Sequence, residues 1–206
     1  MRDEPASETA SDVVFTEAVK RVQERKGSRA MVGARDFGTV ITPDLKTFIE
    51  MQVSIYLATA SADGQPYIQH RGGPEGFLRV LDPRTIAFAD YAGNKQYVTL
   101  GNLSENDKAQ LFLMDYMQRQ RIKIWGTARM VEGDAGLIAR LMPEGYRARP
   151  EQALVFTVTA WDVNCAQHIP QRFEAADVAA AITKREERIA ILEAEVSALK
   201  AAATAR

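Results

Sequence analysis

The chain has 206 residues, 46% hydrophobic and 26% charged, which predicts one globular, soluble domain with appendages. Twenty-six Lys and Arg residues nearly balance 27 Asp and Glu residues, and the formal net charge of −1 gives no general basis for nucleic-acid binding. Because no run of about 18 apolar residues occurs, the sequence predicts no membrane association through a spanning segment.

Helices are predicted in the first part of the chain. Met1–Pro5 lacks the apolar region of a secretory signal. Apolar residues then recur at helical spacing between Val14 and Val22, and this helix is expected to end at Lys26-Gly27. Thr42-Pro43-Asp44 predicts a second helix, with threonine as the N-cap and proline at the first position. We therefore treat residues 1–40 as an N-terminal helical extension.

Short strands separated by turns follow the second helix. The predicted strands are Ser54–Thr59, Tyr67–His70, Phe77–Leu81, Thr85–Ala89, Gln110–Met114, Ile122–Val131 and Ala153–Trp161, with a helix around Ala135–Leu141 before the last strand. Six or seven short strands at this spacing, with few helices, are typical of a closed antiparallel barrel rather than a parallel sheet.

The composition changes after Pro170. From Glu174 onward the chain is rich in Ala, Glu, Lys and Arg and lacks Gly and Pro, which predicts a C-terminal helix over residues 173–206. A heptad pattern places Ala175, Ile182, Ile189 and Val196 at a, and Val178, Arg185, Leu192 and Leu199 at d. β-Branched residues at a with leucine at d favour a parallel two-stranded coiled coil.

The charges beside this heptad seam agree with pairing of two helices. Arg188 at g would face Glu193 at e of the partner helix, and Glu195 would face Lys200 in the same way. The alternative is a single amphipathic helix that lies on its own domain, because Arg185 occupies a core position and the pattern is short.

The cysteine and histidine content restricts the compartment and the kinds of site. Cys165 is the only cysteine, so no intramolecular disulfide forms and a cytoplasmic, reducing location is expected. With His70 and His168 as the only histidines, a dedicated zinc or iron site is not predicted. Cys165 is either a nucleophile or, as free cysteines usually are, a small buried hydrophobic residue.

Hydrogen-bonding and cationic side chains stand at the ends of three predicted strands. They belong to the segments Tyr67–Gly73, Phe88–Lys95 and Gln120-Arg121. Taken singly, each residue has a structural interpretation: His70 as a hydrogen-bonded strand histidine, and the cations as solvated loop charges. Together they match what an anionic, planar cofactor needs, because a phosphate binds cations and a polar ring needs directional donors.

The same segments carry a family resemblance. Gly64-Gln65-Pro66-Tyr67, Phe88–Lys95 and Gln120–Ala128 resemble motifs of the pyridoxamine 5'-phosphate oxidase-like family of FMN-binding split barrels. The resemblance implies a mainly β fold over residues 41–172, a six-stranded antiparallel split barrel of Greek-key type. It also implies a homodimer in which both subunits line the FMN pocket.

Carried over by position, the resemblance also implies the cofactor site. The expected FMN-binding residues are Gln69, His70, Arg71, Gly72, Asp90, Tyr91, Asn94, Lys95, Gln120, Arg121, Asn164 and Gln167. Arg71, Lys95 and Arg121 would balance the charge of a phosphate monoester, about −1.5 to −2 near neutral pH. No catalytic residue and no metal ligand is assigned.

The expected function is that of an FMN-dependent oxidoreductase acting on an unidentified small organic substrate, with NAD(P)H as a candidate electron donor. True pyridoxamine 5'-phosphate oxidases end in an Arg-Leu-x-Pro-type tail, whereas this sequence has a heptad there, so oxidation of that vitamer is not expected. Two alternatives come from other classes: a non-catalytic flavin or haem-type tetrapyrrole binder, and an interaction protein that acts through its C-terminal coil.

Overall fold

A computed structural model describes residues 9–35, 37–164 and 166–204. The chain divides into two compact units. The first unit extends to Asp115 and continues over Gln120–Gln167, and it contains the β-sheet. The second unit comprises Tyr116–Arg119 and the chain from His168 onward. The predicted mainly β class with a C-terminal helix is confirmed.

The helices follow the local capping chemistry of the sequence. They are a 3₁₀ helix Ala10–Val13, α1 Glu17–Arg25, α2 Arg29–Gly33, α3 Pro43–Glu50, α4 Val98–Glu105, α5 Ala135–Leu141 and α6 Ala175–Thr204. Thr42 caps α3 as predicted, since its hydroxyl accepts a hydrogen bond from the Leu45 N–H at 3.2 Å. Asp134 caps α5 in the same way, accepting from the Leu137 N–H at 2.8 Å.

The strands form one antiparallel sheet. They are β1 Ser54–Ala60, β2 Pro66–Gly72, β3 Arg79–Asp82, β4 Thr85–Tyr91, β5 Lys108–Asp115, β6 Gln120–Val131 and β7 Pro150–Asn164. Their spatial order is β2-β1-β5-β6-β7-β4-β3. The expectations of six strands and of a closed barrel are both wrong, because the sheet has seven strands and is open. The physical reason is that β2 and β3 each pair on one side only, and β3 is a four-residue strand held by β4 alone.

The main core lies on one face of this sheet, which we term the inner face. Fully buried side chains from α3 and from strands β1, β4 and β7 meet there, including Ile49, Leu57, Phe88 and Phe156. Their alternation along each strand assigns the intervening residues to the opposite, outer face.

One lateral row of the outer face can be followed across five strands. The ladder register sets His70 beside Tyr56, Tyr56 beside Phe112, Phe112 beside Lys123, and Lys123 beside Asp162. Directly paired residues share a face, so these side chains form one row. Part of the outer face is covered, because Phe37 stacks on Trp125 with ring centroids 5.7 Å apart.

Strand β6 requires glycine at its bulge. The register between β6 and β7 shifts at Trp125/Gly126. A Cβ atom built on Gly126 would lie 1.9 Å from the Thr157 carbonyl oxygen and 2.8 Å from the Phe156 ring. Since no side chain fits at such a distance, the close approach of these two strands depends on glycine.

Helix α4 was not predicted, and its sequence explains why. It begins after Tyr97, which adopts the left-handed conformation with φ 51°, and no side chain caps its first turn. The segment also contains a β-branched start and Gly101, both unfavourable in a helix. Tertiary contacts hold it, since Thr99 and Leu103 are buried and the Asn102 amide donates to the Thr59 hydroxyl at 3.0 Å.

The second unit is dominated by α6. None of the described residues of this 30-residue helix is buried. Before it, the Arg172 guanidinium lies over the Tyr116 ring at 4.5 Å, and Arg119 donates to the Ile169 carbonyl at 3.1 Å. Among the described helices, none is both long enough and apolar enough to cross a bilayer.

Candidate functional site

An open cleft lies where the ends of β2 and β4 meet the start of α4. Its empty volume is about 460 Å³ when the solvent-open mouth is included. The lining residues are Tyr67, Gln69, Arg71, Asp90, Tyr91, Gly93, Asn94, Lys95, Gln96, Tyr97, Val98, Thr99, Leu100, Glu151 and Gln152. The cleft belongs entirely to the first unit.

A chain of polar contacts forms the floor of the cleft. The Nε atom of Arg71 lies 2.9 Å from Oδ1 of Asp90, and both side chains are largely buried, at 16% and 11% exposure. The Gln152 amide donates to the other oxygen, Oδ2, at 3.0 Å. The Arg71 N–H does not point along a hydrogen bond to Asp90, so the pair is held by charge. Asp90 and Gln152 therefore position the guanidinium at the base of the cleft.

The strand β2 is tied to α4 by a second polar contact. The Thr99 hydroxyl donates to Oε1 of Gln69 at 3.2 Å. Gln69 and Arg71 are two residues apart on β2, so both point to the same side of the strand. This alternation brings the amide and the guanidinium to the start of α4 together.

The loop between β4 and α4 has an unusual backbone. Lys95 and Tyr97 both adopt positive φ angles, 60° and 51°, although neither is glycine. The Asn94 carbonyl oxygen of the side chain accepts from the Gln96 N–H at 3.1 Å and stabilises the turn. Left-handed non-glycine residues cost free energy and cluster at functional sites, so this loop is a candidate ligand contact.

Two cations and two anions line the cleft, Arg71 and Lys95 with Asp90 and Glu151, and the start of α4 adds a positive potential. The first N–H groups of α4 are not capped by a side chain, and Val98, Thr99 and Leu100 line the cleft. The positive end of the helix dipole and the Lys95 ammonium therefore act on the same space. Asp90 offsets the charge of Arg71 at its Nε atom, and the other guanidinium N–H groups remain available to a ligand. No group of three or more His, Cys, Asp or Glu side chains in the described ranges could hold a metal ion.

Tyr91 lies at the edge of the cleft and packs against the smaller buried cluster that includes Ala89 and Leu141. Burial raises the pKa of its phenol above the ordinary value, and the neighbouring Tyr146 adds to the effect. The two rings meet edge to face with centroids 5.4 Å apart. The Tyr91 hydroxyl oxygen is buried and lacks a hydrogen-bond partner among the described residues. The phenol is therefore protonated at neutral pH.

Half of the residues predicted from the sequence line this cleft. They are Gln69, Arg71, Asp90, Tyr91, Asn94 and Lys95. The other half, which do not line it, are His70, Gly72, Gln120, Arg121, Asn164 and Gln167. On β2 this division follows strand alternation, because positions 70 and 72 face away from the side that Gln69 and Arg71 occupy.

The remaining predicted residues lie elsewhere in the first unit. His70 is exposed on the outer face, with its ring 5.9 Å from that of Tyr56. Arg121 and Asn164 are paired across β6 and β7 on the same face. Within one chain, Arg121 therefore does not meet Arg71 and Lys95 at a single anion site. Cys165 lies outside the described residues.

Several cleft residues were missed from the sequence. The additional side chains with polar groups are Tyr67, Gln96, Tyr97, Thr99, Glu151 and Gln152. Tyr67 could have been found, because it shares the strand face of Gln69 and Arg71. Gln152 could not, because its position opposite Asp90 depends on the register between β4 and β7. Thr99 lies in the unpredicted helix.

Comparison with known proteins gives the following matches. The family model described as pyridoxamine 5'-phosphate oxidase matches residues 41–165. HupZ of Group A Streptococcus aligns with a TM-score of 0.50 at 22% identity, over 65% of this chain and 99% of that one. An FMN-binding protein of Syntrophomonas wolfei aligns with a TM-score of 0.45 at 13% identity, over 70% of this chain and 97% of that one. HutZ, the heme storage protein of Vibrio cholerae, aligns with a TM-score of 0.39 at 15% identity, over 57% of this chain and 89% of that one. No curated protein matches this sequence.

Proposed function

Because the chain belongs to the pyridoxamine 5'-phosphate oxidase family, we propose that it is an FMN-dependent oxidoreductase whose cleft holds the flavin phosphate. The family predicted from the strand-end motifs is thereby confirmed, and the cofactor and reaction are the proposal. The observation that carries it is the convergence of Arg71, Lys95 and the uncapped start of α4 on one cleft.

The donor set fits a phosphate monoester. Such a group carries a charge of about −1.5 to −2 near neutral pH. Lys95 supplies a full positive charge, and the first N–H groups of α4 supply directional donors of the kind that bind phosphates at helix ends. The free guanidinium donors of Arg71 would complete the set, since Asp90 holds its Nε side. Each charge-assisted hydrogen bond contributes about 1.5–3 kcal/mol.

The other lining residues have a role in orientation. FMN, when bound, supplies hydride transfer between an organic substrate and a reductant. The Gln69 amide lies beside the phosphate donors, where it can accept or donate to a polar ring edge. The Thr99 hydroxyl holds this amide at the start of α4. These residues therefore bind and orient the cofactor, and no residue of the chain is assigned a role in proton transfer.

We also propose a homodimer in which the outer face of one chain completes the cleft of the other. The outer face near β2 exposes apolar side chains, with Ile68 at 65% and Tyr56 at 38% exposure. Burial of these two side chains against a second chain would remove them from water. The outer face also carries Arg121 and Asn164, which the single chain keeps away from its own cleft.

The dimer proposal is tested by Ile68→Asp, with Val22→Asp in the exposed part of α1 as the matched control. The charge at position 68 should produce a monomer with weakened FMN binding, measured by light scattering and flavin titration. A dimer that persists with unchanged FMN affinity would overturn this part of the proposal.

The reaction is tested with the FMN-loaded full chain under anaerobic conditions. Addition of NADH or NADPH should bleach the oxidised flavin absorbance faster than it bleaches free FMN. If neither reductant acts, the protein is a flavin binder and the oxidoreductase assignment falls. If haem binds in place of FMN, the tetrapyrrole-binding alternative replaces the proposal.

A further inference from the structure

We propose that α6 helices from two copies of this chain pair as a parallel two-stranded coiled coil. The helix presents an apolar stripe with exposures between 41% and 71%, interrupted only at Arg185 and formed by Val178, Ile182, Ile189, Leu192, Val196 and Leu199. None of the described α6 residues is buried in the single chain. Helix stability in proteins comes mainly from packing of the apolar face, and in the single chain this face has nothing to pack against.

The spacing of the stripe selects the kind of partner. With Arg185 included, its residues alternate by four and three along the helix. Such a pattern stays on one side only if the helix winds around another. Ile182, Ile189 and Val196 occupy the a positions, and Leu192 and Leu199 occupy d. β-Branched a residues combined with leucine at d favour two parallel strands over larger assemblies.

The flanking charges show that a second copy of the same helix is complementary. In the parallel arrangement, Arg188 faces the partner's Glu193, and Glu195 faces the partner's Lys200. Both contacts occur twice by symmetry, and both are attractive. In an antiparallel arrangement, where a residues pair with d residues, pairing Ile189 with the partner's Leu192 would set Glu186 against the partner's Glu193. The charge pattern therefore favours the parallel orientation with an identical chain.

Arg185 is the exception in the core and limits the affinity of the coil. It occupies a d position, where two guanidinium groups would approach each other. The long apolar stem lets each charge reach the edge of the seam, where the partner's Glu186 at the adjacent e position offers a counter-charge. A polar residue at one core position reduces stability but fixes the register. Replacing Arg185 with Leu should therefore strengthen the association.

The association is tested by disulfide trapping in the full chain, with Cys165→Ser as background so that only the introduced thiol reacts. Leu192→Cys places the thiol at d, where the parallel coil brings the two copies together. Ile191→Cys is the matched control, since this residue is at least as exposed, at 51% against 41% for Leu192, but lies outside the seam. We expect disulfide-linked dimers to form at least tenfold faster in the Leu192→Cys protein. Equal rates, or no linkage at either position, would overturn the proposal.

The stripe and the orientation are tested in the Leu192→Cys protein, with the cross-linking rate as the readout. Ile189→Asp should lower the rate at least tenfold, whereas Ile191→Asp should leave it unchanged. Arg188→Glu should lower the rate, and adding Glu193→Arg should restore it, because the pair is then reversed. Failure of this rescue would overturn the parallel orientation. Unchanged far-UV circular dichroism would establish that each variant keeps its helix, and none of these outcomes depends on flavin binding.

Discussion

Replacement of Lys95 by asparagine isolates the charge that the cleft contributes to phosphate binding. Lys95 adopts φ 60°, and asparagine tolerates this left-handed conformation, so the backbone of the loop should be kept. Arg71 is paired with Asp90, whereas no ion pair to Lys95 occurs in the part of the chain that the structure describes. Lys95 is thus the cleft cation that forms no direct ion pair, although Glu151 also lines the cleft.

The expected loss follows from the strength of one charge-assisted contact. A hydrogen bond to a charged group contributes about 1.5–3 kcal/mol, which corresponds to a roughly 10- to 150-fold rise in the Kd for FMN. The change should shrink as salt is added, because Lys95 is exposed and its field is screened. Quenching of flavin fluorescence during titration measures the Kd directly.

Two controls distinguish loss of the phosphate contact from a general disruption of the protein structure. Lys108→Asn removes an exposed lysine at the start of β5, outside the cleft, and should leave the Kd unchanged. Riboflavin lacks the phosphate, so its affinity should be the same for the wild type and the Lys95→Asn protein. An unchanged Kd for FMN, or an equal loss for riboflavin, would refute the assignment of Lys95.

Three further predictions concern the framework of the cleft. Asp90→Asn leaves the largely buried Arg71 without its counter-ion, so urea unfolding should show a loss of about 1–3 kcal/mol; an unchanged midpoint would contradict this. Gly126→Ala should cost at least about 3 kcal/mol because of the clash at 1.9 Å, whereas Gly101→Ala, with open space in α4, should be neutral or stabilising by about 0.5–1 kcal/mol. Because the pKa of Tyr91 is raised in the folded state, its contribution to the free energy of unfolding is present below pH 10 and is lost as the pH rises further. Tyr91→Phe should therefore remove the latest tyrosinate transition from an ultraviolet titration, and an unaltered curve would exclude that assignment.

The fold was predictable where local chemistry is sufficient. Thr42-Pro43-Asp44 marks the start of α3 because each residue suits its position at a helix N-terminus. The strands were recognisable from short apolar segments between turns. Helix α4 was not, because its capping position is a left-handed tyrosine and tertiary contacts override the low propensity of its sequence.

The candidate site was predictable only in part, and strand pairing explains the rest. Arg71 and Lys95 stand at strand ends, and the structure brings both to one cleft. Gln152 was missed since only the β4–β7 register places it against Asp90. Arg121 was expected beside the other cations, yet alternation along β6 turns it to the outer face of the sheet. Arg121 therefore does not line the cleft of its own chain.

The most direct measurement of the central claim is equilibrium binding of FMN and riboflavin to the purified full chain. If the cleft of Arg71, Lys95 and α4 binds the flavin phosphate, one FMN per chain should bind, and riboflavin should bind at least about 100-fold more weakly, as expected for the loss of two or more charge-assisted contacts. Equal affinities for the two flavins, or the absence of FMN binding, would contradict the account.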